Sequence, residues 1–273
     1  MKKFFEKYKK GDKKPMSGEM FGDPNSPDRH LDEESAKQLR AGSNHYRAYV
    51  GPPDRFDFMG ATQFSLMFHL GLRDHHKVLD FGCGSLRLGR LLIPYLKKGG
   101  YHGIDPNKWL IEDGLTNELG SDAVKIKSPK FKHNTDFNCN VFDEKFDFIV
   151  AQSILTHTGL DLFHTFLKSA KKSLKPDGMI LFTYLPTHDI NLPMPADGWH
   201  YPGCTRFHIN TINSIIEETP LFGKKLPWYH SVTVWYCASL NADRIPSDEK
   251  LYHLTGAVFG QDQFKESLNK FIP

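Results

Sequence analysis

A chain of 273 residues with 39% hydrophobic content can bury one generous α/β core. Lys and Arg number 35 against 32 Asp and Glu, so the net charge is only +3 and no global surplus argues for a nucleic-acid partner. No run approaches the roughly 20 apolar residues that cross a bilayer, and Cys83, Cys139, Cys204 and Cys237 show no CxxC spacing. The expectation is a cytoplasmic protein in a reducing compartment.

The positive surplus gathers at Lys2, Lys3, Lys7, Lys9, Lys10, Lys13 and Lys14, and reads as solvated terminal charge. Glu6 and the neighbouring lysines interrupt the apolar stretch that a secretion signal needs. Residues 1–43, rich in Lys, Gly, Pro, Asp and Ser, read as an N-terminal tail or lid with one helix-like piece near Asp32–Leu39. Residues 44–240 read as one domain, and 241–273 as a C-terminal extension packed on it.

Phe64, Met67, Phe68 and Leu70 recur at helical spacing and predict a helix over Ala61–Leu72, with Gly71 as its stop. Val78–Phe81 is a short apolar strand that ends in a glycine-rich turn. Leu88, Leu91, Leu92 and Leu96 then mark one face of a helix closed by Gly99 and Gly100. The alternation continues with a strand at Tyr101–Ile104, a helix at Lys108–Leu119, a strand at Phe146–Val150, a helix at Leu160–Leu174 and a strand at Met179–Tyr184. A proline-rich connection through Pro202 leads to a helix at Ile209–Glu218 and a β-like run at Ser231–Ala238. This order predicts an α/β, Rossmann-like, doubly wound and mostly parallel sheet with helices on both faces.

The turn Asp80-Phe81-Gly82-Cys83-Gly84-Ser85 lies between a strand and a helix, where glycines let backbone N–H groups approach a polar ligand. A dinucleotide fingerprint needs a third glycine at position 87, which is Arg87 here. Asp105, ending the second strand, suits the paired hydroxyls of a ribose, so the expected ligand is adenosine-like. A nicotinamide-dependent oxidoreductase is the competing enzyme class, and a cofactor-binding scaffold without turnover is the non-enzymatic one.

Further motifs follow in order: Tyr101–Asp105, Asn134-Thr135-Asp136-Phe137, Phe146–Ser153, Thr156-His157 and Leu174–Met179. With Val78–Gly84 they resemble the class I S-adenosylmethionine-dependent methyltransferases, in particular a small stand-alone bacterial type, over about residues 45–240. The resemblance implies S-adenosylmethionine as cofactor. It implies Gly82 and Gly84 beneath the methionine and ribose, Asp105 with Pro106 at the ribose, and Asp80 anchoring the turn or the amino group. Asp136 and Phe137 would border the adenine, and Gln152 would face the methionine. Cys83 belongs to the same turn and reads as packing. Arg87 either forks onto the cofactor carboxylate or caps the following helix. The N-P-P-[YF] tetrad of many amino-directed DNA enzymes is absent, with Gln152-Ser153-Ile154-Leu155 in its place.

Methyl transfer asks the protein to align an acceptor and, for a hydroxyl, to remove a proton. His157, after the fourth strand, is the candidate base, with a backbone hydrogen-bonding role as its alternative. Tyr184, Trp199, His208, Trp228 and His230 are candidate acceptor contacts, because aromatic faces beside polar donors suit a sugar or phenol. His200, Cys204 and His208 lack an evident fourth ligand, and no metal is expected. The expected function is methyl transfer to a small-molecule or saccharide acceptor, at a hydroxyl oxygen.

Overall fold

The computed structural model describes residues 21–258, so the lysine-rich tip at 2–14 lies outside the described residues. Its centre is a seven-stranded sheet in the order β3-β2-β1-β4-β5-β7-β6. The strands are β1 Val78–Phe81, β2 Tyr101–Ile104, β3 Lys130–Lys132, β4 Phe146–Ala151, β5 Leu174–Tyr184, β6 Phe222–Leu226 and β7 Val234–Ser239. β1 pairs in parallel with β2 and β4, and β4 with β5, while β7 runs antiparallel between β5 and β6. The expected mostly parallel α/β sheet is therefore present.

Nine α-helices are described: α1 Glu33–Ala36, α2 Tyr46–Tyr49, α3 Phe56–His69, α4 Gly89–Tyr95, α5 Lys108–Gly114, α6 Ser121–Lys127, α7 Leu160–Ser173, α8 Ile209–Glu218 and α9 Asp248–Val258. They cover both faces of the sheet, which is why the central strands read as mostly apolar runs, broken by Asp80 in β1, His102 in β2 and Asp147 in β4. The strand period of two still divides them. Phe148 and Val150 of β4 join Met179 and Leu181 of β5 in one core with α3 and α4. Ile149 and Ala151 join Ile180 and Phe182 in the other with α7 and α8. Leu254 of α9 is buried in the first of these cores.

Several boundaries differ from expectation, each for a local reason. α3 begins at Phe56 rather than Ala61, because a 3-10 turn at Pro53–Arg55 feeds straight into it. The stretch expected as one helix over Lys108–Leu119 loses α geometry at Leu115, where a π turn runs to Leu119. β5 starts at Leu174, which pairs with Phe146, instead of at Met179. β7 starts only at Val234, because the N–H groups of Val232 and Thr233 are taken by the His230 ring. β3, β6 and α6 were not foreseen; β3 and β6 are the sheet's edges and bury few side chains, so neither carries an apolar run.

Two helices close on the glycine-rich turn from either side. A Cβ on Gly60 of α3 would stand 2.4 Å from the carbonyl oxygen of Arg87, and one on Gly114 of α5 would stand 2.4 Å from that of Ser85. The turn is thus held between two glycine faces. Alanine gains about 1 kcal/mol of helix propensity over glycine, whereas overpacking against backbone costs about 1–3 kcal/mol. Gly60→Ala is therefore expected to destabilise the protein in urea unfolding despite the propensity gain, and a stabilised variant would refute this clamp.

Candidate functional site

Because β1, β2, β4 and β5 run the same way, the segments after Phe81, Ile104, Ala151 and Tyr184 emerge along one sheet edge. The order reverses direction between β1 and β4, where ligands settle in open α/β sheets. Gly82, Cys83, Gly84, Arg87, Asp105, Pro106, Gln152 and His157 all come from these segments.

The turn after β1 is locked to the end of β2. The N–H groups of Gly82 and Cys83 both donate to the Ile104 carbonyl, at 2.8 and 3.0 Å, and that of Gly84 donates to Asp105 Oδ2 at 2.9 Å. The expectation that these donors face a ligand is therefore corrected: the protein itself consumes them. Gly82 and Gly84 have φ of +74° and +50°, which glycine alone adopts without strain. Their bare faces admit Ile154 and Val50, whose side chains occupy the space a Cβ would need.

Asp105 is buried and also accepts from the Asn107 N–H at 2.8 Å and its amide at 3.3 Å. A carboxylate offers about four lone-pair sites, so little more than one remains on Oδ2 for a ligand. Burial raises the Asp105 carboxyl above its ordinary value, and the bonds from Asn107 and Gly84 oppose that. Asp80 is buried beneath the turn, where it accepts from Tyr101 Oη at 2.8 Å. Desolvation pushes it up to about 7, with Tyr101 and Arg87 pulling it down. Burial pushes Arg87 down to about 10 against the attraction of Asp80. Its Nη1 donates to the Val50 carbonyl at 2.7 Å, and its buried Nε has no partner. The Cys83 thiol is raised well above its ordinary value by burial, which fits packing.

At the end of β4, Gln152 is 7% exposed and its amide lies 3.1 Å from His230 Nε2. Ser153 follows at φ +59°, its N–H donating to Thr183 Oγ1 at 2.8 Å. His157 Nδ1 lies 2.6 Å from the Gly203 carbonyl and 3.8 Å from Cys204 Sγ. Trp199 and Tyr201 flank its ring at centroid distances of 5.6 and 5.1 Å. Desolvation lowers the His157 pKa, and the Gly203 carbonyl opposes it. Phe137 is buried between Phe81 and Trp199.

The other expected residues take different places. Asp136 is exposed, and its Oδ1 holds its own turn by accepting from Asn134 and Asn138. Tyr184 and Trp228 are buried in the two cores, and the Trp228 indole donates to the Thr62 carbonyl at 3.0 Å. His208 caps α8 by accepting from the Asn210 N–H, and lines a separate cavity of about 60 Å³ with Thr187 and Arg206. His200 bonds the Ala196 carbonyl, so His200, Cys204 and His208 go three ways.

A family model described as a methyltransferase domain matches residues 44–218. The chain belongs to this methyltransferase family. The glycopeptide N-methyltransferase MtfA has a similar fold, with a TM-score of 0.52 at 10% identity over 67% of this chain and 90% of that one. MtfA complexed with S-adenosyl-L-homocysteine gives 0.51 at 11% identity over 68% and 90%. An S-adenosylmethionine-dependent methyltransferase from Clostridium acetobutylicum ATCC 824 gives 0.49 at 14% identity over 67% and 90%. By family and fold this is a class I enzyme whose cofactor is S-adenosylmethionine.

Observed features of the methyltransferase's edge fit that cofactor. The Arg87 Nε and one end of the Gln152 amide are buried without partners, and such atoms cost free energy until something pairs with them. The sequence reading missed the cover over this edge. Tyr49 meets Trp109 edge-on at 5.6 Å and lies 5.6 Å from Tyr201, whose hydroxyl donates to the Tyr49 carbonyl. α2 is fastened by Arg47, which with Arg90 and Tyr46 bonds the buried Glu118 carboxylate. The only sequence signal was the pair Tyr46 and Tyr49, one helical turn apart.

The Asp80 shift sets a pH dependence. A folded-state value of about 7 lies above the ordinary 3.8, so this group's contribution is full below pH 3.8 and lost as pH rises through 7. Asp80→Asn keeps an acceptor for Tyr101. It is expected to melt about 8–16 °C above the wild type at pH 8 and level with it near pH 4, as read by calorimetry; an equal difference at both pH values would contradict this.

Proposed function

We propose that this methyltransferase methylates a hydroxyl oxygen of a small-molecule acceptor, preferably a saccharide, with His157 as general base. The observation that carries the reading is the His157 ring. With Nδ1–H donating to the Gly203 carbonyl at 2.6 Å, the neutral imidazole keeps its lone pair on Nε2. Trp199 and Tyr201 stand against the same ring, and aromatic faces suit the C–H face of a sugar. Trp199 is thus the acceptor contact retained, while Tyr184, Trp228 and His208 shape the fold around it.

The cofactor supplies a methyl group already activated on a sulfonium, so the protein's share is alignment and proton removal. In this reading Arg87 and Gln152 hold the amino-acid end, the remaining lone pair of Asp105 takes a ribose hydroxyl beside Pro106, and Phe137 walls the adenine with Asp136 at its rim. Gly82, Cys83 and Gly84 supply the floor. Aromatic rings rather than lysines line the acceptor side, which favours a small molecule over nucleic acid. Among the described residues no helix is long and apolar enough to cross a membrane. The free thiols of Cys83, Cys139, Cys204 and Cys237 support a cytoplasmic setting.

Two outcomes test the base. His157→Ala should lower kcat by about 10²–10⁴ while leaving S-adenosylhomocysteine affinity unchanged in calorimetry. Because burial lowers the His157 pKa below its ordinary 6.5, the neutral form persists to lower pH. Wild-type kcat/KM, followed by product mass on a panel of hydroxylated acceptors, should stay level from pH 8 to 6.5 and fall only below that. An active His157→Ala enzyme would remove the base assignment.

A further inference from the structure

His230 was expected to touch the acceptor, but its ring is already committed on both sides. Nδ1 accepts from the backbone N–H groups of Val232 and Thr233, at 3.3 and 3.2 Å. Backbone amides can only donate, so Nδ1 holds the lone pair and the neutral ring carries its proton on Nε2. That Nε2 lies 3.1 Å from the amide of Gln152. A ring N–H needs an acceptor there, and only the amide oxygen of Gln152 can serve. Oxygen and nitrogen of an amide are interchangeable in shape, and the network decides which goes where. With the oxygen on His230, the NH₂ takes the other position, which is buried and otherwise unpartnered.

We infer that His230 is a positioning residue that turns the Gln152 amide so that its NH₂, a donor, faces the methionine carboxylate of the cofactor. This rests on the reading of the sheet edge as the cofactor site. Two buried donors then wait unpartnered, the Gln152 NH₂ and the Arg87 Nε–H. Arg87 is tied to Val50, which covers Gly84, while Ile154, two residues after Gln152, covers Gly82, so the two donors flank one turn; the Arg87 charge also disfavours protonation of the His230 ring. A carboxylate is acceptor-only and planar, and it satisfies both. An ammonium group, itself a donor, is refused at that position.

The test uses the full-length protein and two probes, S-adenosylhomocysteine and 5′-methylthioadenosine, which lacks the amino-acid end. Calorimetry at pH 8 should show Gln152→Ala and His230→Ala each weakening S-adenosylhomocysteine by about tenfold, with the double variant no weaker than the worse single one. Affinity for 5′-methylthioadenosine should be unchanged throughout, which also reports intact folding. Gln152→Glu can still accept from His230 but presents an oxygen to the carboxylate, so it should bind S-adenosylhomocysteine worse than Gln152→Ala. Wild-type-like binding by Gln152→Glu, or additive losses in the double variant, overturns the inference. A silent His230→Ala beside a weakened Gln152→Ala removes the positioning role alone. Unchanged binding in both Gln152→Ala and Arg87→Ala would instead remove the cofactor reading of this edge, and the inference with it.

Discussion

The Ile104 carbonyl and the Asp105 carboxylate together take three consecutive N–H groups of the turn after β1. This pins the turn to the end of β2, and the remainder of the edge is built against it. With its donors turned into the protein and its glycine faces covered by Ile154 and Val50, the turn does not present a ligand with a nest of amides. A phosphate cradle works in the opposite way, with free N–H groups aimed at an anion. The missing third glycine and the consumed donors therefore make the same chemical point. In the proposed reading the site takes a ribose and an amino-acid end, and the nicotinamide alternative raised by the sequence loses its phosphate anchor.

Charge inside this edge is handled by pairing and by neutrality. Asp80 and Arg87 attract each other beneath the turn without forming an ion pair, and burial moves each toward its uncharged form, Asp80 to about 7 and Arg87 to about 10. Ion pairs removed from water regain their desolvation cost only with good geometry and further hydrogen bonds. Here Tyr101 completes Asp80, and the Val50 carbonyl takes one Arg87 N–H, leaving Nε for something else. The helical cover segment that ends at Val50 is held in turn by Arg47 on Glu118. The cofactor floor and the segment above it thus share a single guanidinium.

The sequence disclosed the parts of this molecule whose physics is local. Val78–Phe81 and Tyr101–Ile104 are buried along their whole length and mostly apolar, with Asp80 and His102 as the exceptions, so their boundaries were readable to the residue. The glycines of the turn and the acidic residue ending β2 carried the family by their order. Tertiary facts were not readable. Trp228 and Tyr184 look like ligand aromatics in a string, but packing against Thr62 and within the sheet core absorbed them. Lys130–Lys132 and Phe222–Leu226 are strands only because a neighbour offers hydrogen bonds at the sheet's edge. Tyr49 and Val50 reach the site from a segment distant in sequence, with no motif to announce them.

The two histidines at the edge show why residue type alone decides so little. His157 gives its Nδ1 proton to the Gly203 carbonyl and so keeps a basic lone pair at Nε2. His230 receives the Val232 and Thr233 amides at Nδ1 and so keeps an N–H at Nε2. Backbone placement gives identical rings opposite polarity. One ring keeps a basic lone pair, the group proposed to take a proton from an acceptor, and the other can only orient an amide. The first role needs a side chain near the acceptor, between Trp199 and Tyr201; the second needs one locked by the start of β7. In the proposed reading, methyl transfer divides the work accordingly, with proton removal after β4 on one side and cofactor orientation through Gln152 on the other.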